Sequence, residues 1–256
     1  NKPDTVVGRF NTTFTDTSAN PNIRTYRYKV RALEYCEDPA GLQGAEHVIV
    51  VPHRALHCVP FCALHDGQRH LVEQHALSLA PSAALWLAGA AAAPARVLRR
   101  ALALGVAAGA GGPALRHVAG ELQQVAAAFS GCSTVLLDAQ ATLPALRAAL
   151  PGADVLHIAC HGQFRADSPY FSSLHLADGP LTLRDAAALP LQAALVTLSA
   201  CETGLNRIAP GDELLGLVRG FLLAGAPSVL PSLWPVDDPS TAALMGSFYR
   251  RLAASP

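Results

Sequence analysis

An excess of charge of one sign is what this chain most plainly lacks. Nineteen Lys and Arg residues are balanced by nineteen Asp and Glu, and charged residues are only 15% of the 256. A polyelectrolyte partner needs a basic or acidic surplus, so composition argues against a nucleic-acid-binding surface. An uninterrupted apolar run long enough to cross a bilayer is missing as well. The best stretch, Leu214 to Trp234, is broken by Arg219, Pro227 and Pro231, and it divides more naturally into a helix and a strand. The six cysteines show no close even pairing, which argues against a secreted disulfide framework and for a reducing cytosol. A secretory leader is not expected, because Asn1 to Asn22 are polar; with no initiator Met, the chain reads as a piece of a longer protein. Self-similarity at 30–45 residues is absent, so the chain is not itself a solenoid. What it has is a 51% hydrophobic composition, enough for a sizeable globular core.

Residues 1 to about 44 differ from the rest, being rich in Asn and Thr and poor in Ala. Two readings are open for them: an N-terminal extension or linker, or an edge strand joining to an upstream module. Arg24 to Val30 alternates aromatic and charged residues, as one amphipathic strand would. From His47 the pattern becomes regular. Val48–Val51 reads as a buried strand, and His57–Phe61 as a second, antiparallel to it across a tight turn. Short strands are expected at Ala76–Leu79, within Val97–Val106, and at Thr134–Asp138, 154–160, 195–201 and Ser228–Trp234. Helices are expected at Ala83–Ala91 with Ser82 as its cap, at 114–129, from Thr142 to Leu150, from Gly211-Asp212 to Ala224, and from Asp237 or Asp238 to Leu252. Strands alternating with helices indicate an α/β fold, its sheet parallel or mixed with helices on both faces.

Two strands end in reactive groups. Val155–Gly162 (VLHIACHG) carries His161, and Leu195–Gly204 (LVTLSACETG) carries Cys201. Open parallel sheets put their working residues at such strand ends. A cysteine attacks as its thiolate, and an ordinary thiol, with a pKa of about 8.5, is only slightly ionised at neutral pH. An imidazole within reach takes that proton and later returns it to a leaving amine. Gly162 leaves room for a substrate beside its amide, so the N–H groups of Gly162 and Cys201 are the candidate oxyanion hole. His157 shares a strand face with His161 and either supports it or packs in the core, whereas Cys160 points the other way and reads as core. Asp154 is a weaker candidate for a third group orienting the imidazole. Glu202 either shapes the loop after Cys201 or is a solvated acid.

Cofactor chemistry has little support. The histidines and cysteines between His53 and His75 lack paired zinc spacing and span two strands with opposed faces. The glycines at 105, 109, 111 and 112 are not followed by Lys-Ser/Thr and do not match a dinucleotide fingerprint. No metal and no cofactor are therefore expected.

VLHIACHG at 155–162, LSACETG at 198–204, GDELL at 211–215, PSVLPSLWPVDD at 227–238 and HVIVVPHRALHCVPFCAL at 47–64 together resemble the CHAT family, in that family's order. The resemblance covers roughly residues 45 to 254, leaving 1–44 outside a domain of 45–256. It implies a caspase-like three-layer sandwich, a mostly parallel central sheet with helices on both faces, and a cysteine protease related to caspases and separase. The family's His-Gly falls on His161-Gly162 and its nucleophile on Cys201. Where relatives commonly carry Pro-Asp-Gly, this chain has Pro52-His53-Arg54. That loop, with Tyr170, Phe171 and Glu202, is expected to contact substrate. The resemblance also implies an upstream helical-repeat sensor module and a protein substrate, gasdermin-like pore formers among them, in bacterial antiviral defence or cell-death signalling. Abundant Ala, Arg and Gly fit a bacterial source.

The leading expectation is a regulated cytoplasmic cysteine endopeptidase using a Cys-His dyad and a thioester intermediate. Two others stand beside it: a catalytically silent scaffold of the same fold that binds partner proteins, and a hydrolase of esters or small amides with the same nucleophile. Binding to a membrane or directly to nucleic acid is not expected.

Overall fold

The computed structural model describes residues 5–7, 13–15, 27–31, 42, 44–52, 56, 59–92, 97–107, 113–129, 131–163, 165, 168, 171–201, 216–232 and 237–254. The chain divides into two compact units, Asn1–Ala92 and Ala93–Pro256.

In the first unit a mixed sheet contains β1 (Thr5–Val7), β2 (Thr13–Thr15), β3 (Arg27–Arg31), β4 (His47–Val50) and β5 (Ala76–Leu79), in the order β2-β3-β1-β4-β5. The strand expected between Arg24 and Val30 is β3, paired on both sides. The hairpin expected after β4 does not form. Both neighbours of β4, β1 and β5, run parallel to it, with His47 opposite Ala76 and Val50 opposite Leu79. Of the stretch 57–61, residues 59 and 60 are irregular and Phe61–Ala63 is a single 3-10 turn; residues 57 and 58 lie outside the described residues. Pro60 has no N–H to give a ladder, which disfavours a strand there. A four-residue helix, α1 (Leu71–Gln74), leads into β5, and α2 (Ala83–Ala92) packs Trp86 and Leu87 against buried Ile49 and Ala80.

The second unit is built on a parallel set. β6 (Ala101–Gly105) pairs with β7 (Ser133–Leu137) and β8 (Val155–Gln163); β8 pairs with β11 (Leu195–Cys201), and β11 with β12 (Val229–Pro231). All five residues of β6 and the first eight of β8 are buried, the pattern of strands covered on both faces. Alternation along β8 separates two cores. Leu156, Ile158 and Cys160 pack with Leu146 of α4 (Leu143–Ala149), Ala186 of α5 (Leu183–Ala187) and Leu217 and Phe221 of α6 (Gly216–Leu223). Val155 and Ala159 pack instead with Val118, Leu122 and Val125 of α3 (Val118–Ala128) and with Met245 and Tyr249 of α7 (Asp238–Ala254). The α/β class expected from the strand–helix alternation is the one found.

Helix ends follow the local chemistry read from the sequence. Thr142 Oγ1 accepts the Ala145 N–H at the start of α4. Asp237 Oδ2 accepts both the N–H and the hydroxyl of Ser240 at the start of α7. After α6, Gly225 takes φ +104°, which a side chain would resist, and lets Ala226 N–H reach back to the Phe221 carbonyl. The long connection between β8 and β11 is more ordered than the sequence suggests. It holds an antiparallel hairpin, β9 (Ser173–Leu176) and β10 (Gly179–Thr182), and then α5, opened by a Thr182–Asp185 capping box. Because β9 pairs with Gly162 and Gln163, β8 runs on to Gln163, so His161 and Gly162 lie inside the strand and not beyond it.

One buried polar chain joins four elements on the α3/α7 side of the sheet. Tyr249 donates its hydroxyl to Thr197 Oγ1 at 2.7 Å, and the Tyr249 hydroxyl oxygen lies 3.2 Å from His157 Nδ1. On the other side of the ring, His157 Nε2 is 2.9 Å from Glu121 Oε1, close but without the alignment of a good hydrogen bond. Glu121 is only 2% exposed and His157 fully buried, so neither has water to fall back on. Leaving a buried polar group without its partner typically costs about 1–3 kcal/mol. Glu121→Ala should therefore lower the unfolding free energy in urea titration by about that much, and a loss below about 1 kcal/mol would show that the imidazole needs no carboxylate.

Candidate active site

The β8–β11 ladder sets the site. Its register pairs Thr197 with His157, Ser199 with Ala159, and Cys201 with His161. In-register residues of parallel neighbours occupy the same side of a sheet, and adjacent strands lie about 4.8 Å apart. Positions 161 and 201 are thus side by side on the α3/α7 side, at the C-terminal ends of both strands. The buried 157/197 pair lies four residues below them. The side chain of Cys201 is outside the described residues.

His161 is 6% exposed. Its Nε2 lies 2.8 Å from the carbonyl oxygen of Pro113. A carbonyl can only accept, so Nε2 carries the proton, and in the neutral ring Nδ1 holds the lone pair. Nδ1 is buried and has no hydrogen-bond partner among the described residues. The imidazole is thus oriented through one nitrogen, and the other meets no hydrogen-bond partner among the described residues.

The remaining expected residues fall out unevenly. Gly162 is buried in β8, registered with Leu174 of β9. Phe171 is 63% exposed, with the Arg165 guanidinium 6.0 Å from its ring centroid, and its backbone N–H donates to the Ser168 carbonyl. His53, Arg54, Tyr170 and Glu202 lie outside the described residues. Cys160 packs in the core, as expected, and burial pushes its thiol up to about 12. His157 does not approach His161 but packs in the Glu121–Tyr249–Thr197 chain. Asp154 is no orienting group: it sits just before the N-terminal end of β8, where its Oδ2 accepts the N–H groups of Arg99 and Arg100 at 2.8 and 2.9 Å. Among the described residues, no three His, Cys, Asp or Glu side chains converge to hold a metal, and no helix is long and apolar enough to cross a membrane.

The sequence reading missed Pro113 and Glu121. The first acts through its backbone, for which no side-chain pattern exists. The second did leave a signal: an acid among Val118, Leu122 and Val125, the buried stripe of α3, needs a buried partner such as the lone His157.

A sequence model described as "CHAT domain" matches residues 30–256. The chain belongs to the CHAT domain family. The match takes in β4 to β12 and so every element of the site. Two curated relatives carry the name tetratricopeptide repeat protein 28. The mouse protein is 39% identical over 72 residues and the human protein 36% identical over 72 residues. That stretch is 28% of this CHAT chain and 3% of each relative, so the shared segment is a small part of much longer proteins.

The buried core groups of this CHAT chain set its alkaline limit. Burial raises the Cys160 thiol from its ordinary 9.0 to about 12, and burial likewise raises the Tyr249 phenol. Groups raised in the folded state leave stability intact below their unfolded pKa and remove it above, as the unfolded chain ionises first. Denaturation midpoints should therefore be insensitive to these groups below pH 9.0 and fall between there and about 12. In the same range Cys160 should resist iodoacetamide until the chain unfolds; alkylation of the native protein at neutral pH would contradict its burial.

Proposed function

We propose that this chain is a cysteine endopeptidase with a caspase-like three-layer sandwich, cutting a protein substrate through Cys201 and His161. The observation that carries this reading is the pairing of positions 161 and 201 on adjacent parallel strands, together with a His161 ring whose Nε2 is committed to Pro113 and whose Nδ1 is open. In the reaction, Nδ1 takes the proton of the Cys201 thiol. The thiolate adds to the scissile carbonyl, and the N–H groups of Gly162 and Cys201 hold the oxyanion. The imidazolium then gives its proton to the leaving amine as the C–N bond breaks, leaving a thioester. Water, deprotonated by the same nitrogen, hydrolyses the thioester and restores the thiol.

His53, Arg54, Tyr170, Phe171 and Glu202 remain the proposed substrate-contacting residues. The tetratricopeptide repeats in the names of the two relatives support a sensor of helical repeats acting with this domain. A cytoplasmic setting, a bacterial defence role and a gasdermin-like substrate belong to the same proposal and follow from family likeness. The domain is taken to begin near residue 45, with 1–44 as an extension or linker.

An electrophilic peptide probe and a peptide library read by mass spectrometry test this together. The wild-type chain should label at Cys201 and cut library peptides, and Cys201→Ala should lose both, with a fall in cleavage of at least about a thousandfold. Undiminished cleavage by Cys201→Ala would sink the proposal. Absence of labelling in the wild type would favour the silent scaffold, and turnover of small esters without peptides would favour the other hydrolase.

A further inference from the structure

We infer that Asp138 and Asp238 are positioning residues, clamping both ends of the segment after β6 so that the Pro113 carbonyl stays on His161. The inference rests on His161 being the proton carrier, as proposed above. Four hydrogen bonds form the path. Ala107 N–H donates to Asp138 Oδ1 at 2.8 Å, where the segment leaves β6. Leu115 N–H donates back to the Ala107 carbonyl at 2.8 Å, closing the segment on itself. His117 N–H donates to Asp238 Oδ2 at 2.9 Å, where the segment enters α3. Between these ties lies Pro113, whose carbonyl accepts from His161 Nε2 at 2.8 Å. The buried Leu115 side chain, part of the α3/α7 core, holds the same stretch from below.

Neither carboxylate is needed by its own element. Asp138 follows β7 at φ +49°, and among the described residues it alone, apart from glycines, has a positive φ. Such a backbone costs free energy and persists where something else holds it, often beside a functional site. Here its carboxylate bonds the Ala107 N–H, and its carbonyl accepts the Ala141 N–H in the 3-10 turn that follows. Asp238 is the first residue of α7, yet the side-chain cap at that end comes from Asp237, which receives the Ser240 N–H. The Asp238 carboxylate instead turns to the neighbouring helix. Two acids from distant parts of the chain thus converge on backbone N–H groups of one segment, and that segment carries the atom that selects the His161 tautomer. If the carbonyl swings away, Nε2 loses its acceptor, the ring favours the Nε2–H form less strongly, and Nδ1 is less often free to accept.

Ring-nitrogen shifts of His161, measured on the full 256-residue chain with labelled histidine, read this directly and do not require that any peptide be cut. The wild type should show the Nε2–H tautomer alone. Asp138→Gly removes the acceptor without backbone strain, and Asp238→Ala removes the other. Each should shift the tautomer ratio by roughly three- to tenfold, the range for one hydrogen bond, and slow alkylation of Cys201 at neutral pH in step. Asp138→Asn and Asp238→Asn keep an acceptor oxygen and should stay within about twofold of wild type. Wild-type shifts in both Asp138→Gly and Asp238→Ala would overturn the clamp. So would Asn variants as impaired as Gly and Ala, since the acceptor would then not be what matters. If the tautomer moves as expected while peptides remain uncut by every form, the clamp stands and the protease reading falls.

Discussion

The in-register parallel pairing of β8 with β11 is the constraint on which the rest of the structure depends. A ladder fixes register by backbone hydrogen bonds, and a slip of one residue would send every side chain of a strand to the opposite face. Here both faces of β8 are committed. Leu156, Ile158 and Cys160 belong to one core, Val155 and Ala159 to the other, and a slip would expose neither set to water but would drive His157 into an apolar layer. A buried imidazole parted from its polar partners costs about 1–3 kcal/mol, so the register is strongly specified. The neighbourhood of positions 161 and 201 is a by-product of that specification. Packing along the whole ladder determines it, and no feature at the strand ends has to.

The Glu121–His157–Tyr249–Thr197 chain follows from the same register. His157 and Thr197 are partners in the ladder, and they meet a helix acid and a helix phenol that enter from α3 and α7. A buried polar chain of this kind is a weak source of net stability, because each member has given up water. It is selective, however. An apolar side chain at 157 would pack, but it would leave the Tyr249 hydroxyl with one contact fewer and take the imidazole away from Glu121. The two helices that carry the chain are also those whose N-terminal ends meet, through His117 and Asp238, four residues beyond Pro113.

Much of this could be read from the residues, and the limits have physical causes. Apolar runs closed by glycine locate β8 and β11 to within a few residues, and strand parity assigns Cys160 to the core. Pairing partners are another matter. The run at 57–61 looks like a hairpin arm by proximity, but β4 takes parallel neighbours on both sides, which no local pattern announces. The β9–β10 hairpin carries a turn signal in Asp178-Gly179, yet its strands are four residues each and their apolar positions are too few to show a period. The family likeness extends through the site, and the match over 30–256 agrees with it. Pro113 could not be found by any of these routes. Its contribution is a carbonyl, and every residue has one.

That a carbonyl, not a carboxylate, faces His161 Nε2 bears on the kind of nucleophile the ring can serve. A carboxylate beside an imidazole stabilises the imidazolium strongly and so makes the ring a better base, which a hydroxyl nucleophile requires because it gives up its proton with difficulty. A thiol ionises near pH 8.5, within about two units of an ordinary imidazole, and needs far less help. A neutral acceptor is then sufficient to fix the tautomer and the ring plane. On the proposed reading, the orienting partner of His161 suits a thiol nucleophile.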